Sequence, residues 1–148
     1  MNIAIGSDHG GLQLKEAIKN YLQAQGHMVK DYGTNSEDSC DYPLIALPLA
    51  KDVAKGNPEL GILICGTGIG IGIAANKVAG IRAALCHDVF SARASRAHNN
   101  ANILTLGQRV IGEGLALAIV EEWLHASFEG DRHQRRVDEI TAIERGDI

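Results

Sequence analysis

The chain has 148 residues, a formal net charge of −4 and 45% hydrophobic residues, enough for one domain with a real core and too few for two comfortable ones. It has no lysine- or arginine-dense run, which argues against nucleic acid or an anionic membrane surface as partner and leaves the basic residues to serve a small anion. Cys40, Cys65 and Cys86 show no paired spacing, as suits reduced thiols, and Asn2-Ile3-Ala4-Ile5 follows Met1 with no basic lead or long apolar segment, so neither secretion nor membrane insertion is supported and a cytoplasmic protein is expected.

Ile3, Ala4 and Ile5 read as a first strand, and Gly6-Ser7-Asp8-His9-Gly10-Gly11 as the loop leaving its carboxyl end, where open α/β sheets hold ligands. Leu14, Ala17, Ile18, Tyr21 and Leu22 recur at helical spacing, Gly26 closes that helix, and His27–Tyr32 reads as a short strand. After a polar stretch, Asp41-Tyr42-Pro43 marks a helix start, with Ala46, Leu49, Ala50 and Val53 as its buried stripe. Pro48 lies inside that pattern, where it removes a main-chain bond and predicts a kink. Ile62, Leu63 and Ile64 form an apolar run bounded by glycine, as expected of a central strand buried on both faces. Cys65 ends it, and Gly66-Thr67-Gly68-Ile69-Gly70-Ile71-Gly72 leads into a helix through Ala74-Ala75-Asn76-Lys77. Ile81–Cys86 reads as a fourth strand, Val89–Ala97 as a helix delivering His98, Asn99 and Asn100 to a polar turn, and Ile103–Leu106 as a fifth strand. Gly107-Gln108-Arg109 leaves that strand, a long helix carries Ala116, Ile119, Val120, Trp123 and Leu124, and a last helix begins near Arg132. Strands alternate with helices without repeat or linker. The pattern predicts an α/β fold, Rossmann-like and doubly wound, with a mainly parallel five-stranded sheet, helices on both faces and a single domain over 1–148.

The glycine loop opens a helix whose free N–H groups can cradle an anion, and a thiol beside that positive end is favoured as thiolate, with its pKa falling toward neutrality. Cys65 can then act as base or nucleophile; the alternative is a small buried hydrophobe ending a strand. Gly-x-Gly-x-x-Gly fails at Ile71 and Ile73, the Walker pattern fails around Lys77, and no arginine before Arg82 could serve a cysteine phosphatase. In the last helix Val137, Ile140 and Ile143 mark an apolar stripe, with Arg132 and Arg136 within or beside it. Two arginines at i and i+4 repel unless an anion lies between them; the alternative is a solvated face with ordinary salt bridges. The six histidines show no metal-ligand spacing and no cysteine pair accompanies them, so no metal is expected. His9 and His98 follow a strand and a helix, and each suits either a structural or a catalytic role.

Gly6-Ser7-Asp8-His9-Gly10-Gly11, Asp41-Tyr42-Pro43, Cys65-Gly66-Thr67-Gly68-Ile69-Gly70, Ala74-Ala75-Asn76-Lys77, Gly80-Ile81-Arg82-Ala83, His98-Asn99, Gly107-Gln108-Arg109 and Arg132-His133-Gln134-Arg135-Arg136 together resemble the ribose-5-phosphate isomerase type B family, in its order and over nearly the whole chain. The resemblance implies a cofactor-free aldose–ketose isomerase of the pentose phosphate pathway, interconverting ribose 5-phosphate and ribulose 5-phosphate through an enediolate. It implies Cys65 as the base moving a proton between C2 and C1, Thr67 as its helper, and His98 as the proton donor that opens the furanose. By the same likeness, Asp8, His9, Tyr42 and Asn99 bind the sugar, the N–H groups of Gly66, Thr67, Gly68, Ile69 and Gly70 hold the enediolate oxygen, and Arg109, Arg132 and Arg136 take the phosphate. A homodimer with shared active sites, or a tetramer, is implied as well. Allose 6-phosphate and galactose 6-phosphate fit the same chemistry with one more carbon. Two readings from other classes are a nucleotide-binding module, with Asp88 as the ribose contact, and a thiol hydrolase with Cys65 as nucleophile.

Overall fold

The computed structural model describes residues 1–148. Five strands, β1 (Asn2–Ser7), β2 (Met28–Asp31), β3 (Leu60–Cys65), β4 (Ala83–Leu85) and β5 (Ile103–Gly107), form one sheet in the order β2-β1-β3-β5-β4. Every pairing is parallel. β3 is central and wholly buried, as its apolar run requires. β4 is three residues long, shorter than the Ile81–Cys86 expected, because it is an edge strand with β5 as its one neighbour.

Helices α1 (Leu12–Ala24), α4 (Val89–Ala97) and α5 (Glu113–His125) cover one face, where Leu14, Ile18, Ala92, Ile119 and Trp123 pack on Ile3, Ile5, Ile62, Ile64 and Leu104. Helices α2 (Tyr42–Ala54) and α3 (Ile69–Asn76) cover the other, where Leu49, Val53, Ile71 and Ala75 meet Ala4, Leu63, Cys65 and Ile103. Asp41 and Pro43 start α2 as expected, and the helix continues through Pro48. Asp88 caps α4 by accepting from Ser91 N at 2.7 Å, which accounts for that aspartate locally. No helix is long and apolar enough to cross a membrane.

The sixth helix, α6 (Arg132–Arg145), departs from expectation. Only His133 and Val137 are buried in it, while Ile140, Ile143, Arg132 and Arg136 are exposed. The expected apolar stripe is therefore uncovered for most of its length in the protomer, and the two arginines face solvent rather than packed protein. Beneath it lies a hollow of about 490 Å³ lined by Ile81, Arg82, Ala101, Ile140, Ile143 and other side chains.

Candidate active site

The chain passes from β1 outward to β2 and then returns to β3 on the other side of β1, so the carboxyl ends of β1 and β3 form the switch point where open α/β sheets bind ligands. The β1 loop and the β3 loop meet there: a Cβ on Gly10 would sit 3.4 Å from Gly66 N. Asp8 is buried and its Oδ1 accepts from Gly10 N at 2.9 Å, leaving Oδ2 without a protein partner. His9 Nδ1 accepts from Cys40 N at 3.2 Å, which puts the proton of the neutral ring on Nε2 and makes that nitrogen a donor. Tyr42, at the start of α2, lies across the loop, its ring 2.6 Å from where a Cβ on Gly70 would stand.

Cys65 ends β3, and its Sγ accepts the Gly68 N–H at 3.1 Å. A backbone N–H aimed at sulfur stabilises negative charge there. Thr67 Oγ1 accepts from Ile69 N at 3.2 Å, so this hydroxyl takes up the first N–H of α3. The N–H groups of Gly66, Thr67 and Gly70 have no protein partner. They are the free donors that an oxyanion would need. The β5 loop closes the third side. Gln108 N and Arg109 N donate to the carbonyls of Cys65 and Gly66 at 3.0 Å each, and the Arg109 side chain lies 3.4 Å from the space beside Gly66. His87, which the sequence did not single out, accepts from Gly107 N at 3.0 Å and steadies this loop. Cys86 is a different thiol: buried in the core, it is pushed up by burial and has no such donor loop.

The remaining expected residues form a second group. His98 follows α4, so it stands at the amino end of β5, whereas Cys65 stands beside Gly107 at the carboxyl end. The length of β3 from Gly61 to Cys65 alone separates those ends by about 13 Å at the usual strand rise. Asn99 accompanies His98, and Glu129 N donates to Ala97 O, which brings the start of α6 with Arg132 and Arg136 to the same corner. His133, also missed in the sequence, stacks on His98 with ring centroids 4.4 Å apart and planes 9° apart. Burial, then His98 and Arg132, hold the His133 imidazole below the usual histidine range. Glu129 reaches the Nε2 atoms of His98 and His133 at 3.6 and 3.8 Å. Those three could gather about an ion, but parallel rings aim their lone pairs alongside one another rather than at one point, so the stacked pair is not arranged as a metal site.

The turn that carries His98 and Asn99 is held from behind. Arg82 donates to the carbonyls of Asn99 and Asn100 at 3.0 to 3.1 Å, and Arg96 Nη1 to Ala101 O at 2.6 Å. Asn76 and Asn102 pair with the main chain of Gly80–Ala83, which anchors Arg82 in turn.

A family described as Ribose/Galactose Isomerase matches residues 3–140. The chain belongs to that family. It is 54% identical over 142 residues to ribose-5-phosphate isomerase B of Escherichia coli, covering 96% of this chain and 95% of that one. The solved ribose-5-phosphate isomerase B of Clostridium thermocellum is 53% identical with a TM-score of 0.98, and the match covers 100% of both chains. That of Mycoplasma genitalium, solved with bound ribulose-5-phosphate, is 46% identical with a TM-score of 0.93, covering 97% of this chain and 96% of the other.

Proposed function

We propose that this chain, folded over 1–148 as a single sugar-phosphate isomerase domain, interconverts ribose 5-phosphate and ribulose 5-phosphate with Cys65 as the base. The observation that carries the reading is the Cys65 thiol under the Gly68 N–H, beside three unpartnered loop N–H groups, in a ribose/galactose isomerase. In the open-chain aldose the C2 proton passes to sulfur, the C2–H electrons close the C1–C2 double bond, and the C1 oxygen takes the negative charge. Loop N–H groups hold that charge. Transfer of a proton from O2 to O1 and return of the proton from sulfur to C1 complete the ketose. No other reactant is consumed. Asp8 Oδ2 and His9 Nε2–H, neither bonded within the chain, bind hydroxyls, with Tyr42 over the chain of carbons.

His98, Asn99, Arg132 and Arg136 serve the same substrate from a second copy of the chain, in a homodimer with two shared sites. Two features support this. The second group lies at the far end of its own sheet, and exposed apolar side chains on α2, α3, β4 and α6, among them Leu44, Ile69, Ile73, Leu85 and Ile143, are what a partner would cover. His98 then donates the proton that opens the furanose, and Arg132 and Arg136 join Arg109 on the phosphate, whose binding positions carbons several bonds away. A cytoplasmic place in the pentose phosphate pathway accords with reduced thiols and a phosphorylated substrate.

The test is Cys65→Ala assayed on ribose 5-phosphate, ribulose 5-phosphate and the 6-phosphates of allose and galactose. Turnover should fall by about 10²-fold or more, the lower range for a positioned acid–base group, with the fold retained by circular dichroism. A variant within about tenfold of the parent would remove Cys65 as the base. A parent that turns over a phosphohexose faster than ribose 5-phosphate would move the assignment to the longer sugar.

A further inference from the structure

Thr105 is the one polar side chain among the β5 residues Ile103, Leu104, Thr105 and Leu106, and it is completely buried. A buried hydroxyl needs a partner. It finds one by donating to the Gly68 carbonyl at 2.9 Å. Gly68 is the N-cap of α3, and Thr105 adds a side-chain hydrogen bond to the carbonyl from which that helix starts. Room for the threonine is made by Gly72, where a Cβ would stand 3.2 Å from Thr105 Oγ1. Gly72, the buried glycine within α3, is thus explained by packing on β5.

Gly68 has φ 77° and ψ −7°, in the left-handed region where glycine moves freely between alternatives. Such a residue does not hold its own orientation. Only its two backbone torsions separate the carbonyl that Thr105 holds from the N–H that points at Cys65 Sγ. We infer that Thr105 is a positioning residue for Cys65, locking Gly68 so that its N–H stays on the sulfur while the proton comes and goes. This rests on the reading of Cys65 as the base. The Thr105 hydroxyl bonds to the Gly68 carbonyl and not to the thiol; it acts through one glycine.

The test compares Thr105→Val, which keeps the shape and removes the donor, with Thr105→Ser, which keeps the donor. Turnover of ribose 5-phosphate and its KM are measured, together with the pH profile of Cys65 alkylation by iodoacetamide, read by mass on the Cys65 peptide. For Thr105→Val, kcat should fall about tenfold with KM within about twofold, and alkylation at neutral pH should slow severalfold, its profile displaced to higher pH. Thr105→Ser should restore both to within about threefold of the parent. The inference is overturned if Thr105→Val keeps kcat within twofold, or if kcat falls while the alkylation profile is unmoved, since Thr105 would then merely fill the strand. Should the valine variant fail to fold, Thr105→Ala is judged by the same criteria. Alkylation involves no sugar, so failure of the isomerase reading, seen as an active Cys65→Ala, is distinct from failure of this inference.

Discussion

Lys15 stands in α1 between the core residues Leu14 and Ile18, and it is fully buried. Its ammonium reaches both oxygens of Asp31 at 2.8 Å, Asn35 Oδ1 at 3.2 Å and Glu16 at 3.1 Å. Lys15→Met keeps the length and removes the charge. Breaking a buried pair costs about 3–5 kcal/mol because the surviving charge is stranded. Here Asp31 keeps Lys19 at 2.9 Å and is one-fifth exposed, which lowers the expected loss to about 2–3 kcal/mol. For a chain of this length that corresponds to a fall in Tm of about 5–10 °C at fixed protein concentration. The sign of the pH dependence follows from Asp31. Burial pushes its carboxyl up, but the hydrogen bonds from Lys15 and Lys19 and from Gly33 N outweigh burial and hold it below the usual range. A carboxyl lowered by folding contributes stability above its unfolded pKa of about 4, and that contribution is lost as pH falls through the folded value. The gap between parent and Lys15→Met should be full at pH 7 and narrow below about pH 4. Activity should fall too, because Asp31 Oδ1 accepts from Gly33 N, and Gly33 and Thr34 bond to both sides of Ser7, just before Asp8. Urea unfolding from pH 7 down to pH 3 measures the gap. A loss under about 1 kcal/mol, or a gap independent of pH, would refute the reasoning.

Gly107→Ala should lower both stability and turnover, since its Cβ would stand 2.6 to 2.8 Å from the Thr67 main chain and press on the Cys65 loop; a loss of about 1–3 kcal/mol by urea unfolding is expected. Arg82→Met should slow ribose 5-phosphate more than erythrose 4-phosphate, which cannot close a furanose ring, because it loosens the turn presenting His98; equal losses on the two sugars would dissociate Arg82 from ring opening. Arg136→Ala should leave the ligand-free Tm unchanged or slightly raised, as expected for an exposed residue four positions from another arginine, while phosphate competes about tenfold less well in the assay.

Much of the layout was legible because single elements carried unambiguous signals. Ile62–Ile64 is too short for a helix and too apolar for a surface, so β3 and its central place could be read directly. Val89–Ala97 read as a helix ending at a polar turn, and the helix has those limits, with Asp88 as the cap that the sequence reading did not assign. Where the reading went astray, a neighbour decided. β4 lost residues at both ends because one flank has no strand to bond. Lys15 could not be recognised as buried, since its partner Asp31 comes from β2 and charge alone suggests solvent. The stripe of α6 was visible, but its packing was not, because beyond Val137 it borders a hollow and stays exposed instead of closing on its own chain. The division of the site into two corners did have a signal. Asp8, Cys65 and Arg109 follow strands or end them, whereas His98 follows a helix, and in an alternating parallel fold those positions lie at opposite ends of the sheet. Thr105 and His87 act through the main chain of loops distant in sequence, and no spacing rule reports that.

The account is tested most directly by mixing two defective chains. Cys65→Ala removes the base from one corner, and His98→Asn removes the acid from the other. If each site draws one corner from each of two chains, a mixed dimer has one site with both lesions and one with neither. Random pairing makes half of the dimers mixed, so co-expressed chains should recover about one quarter of parental turnover of ribose 5-phosphate although each variant alone is nearly inactive. Activity that stays at the level of the separate variants, with mixed dimers demonstrated by differential tagging, would contradict the account.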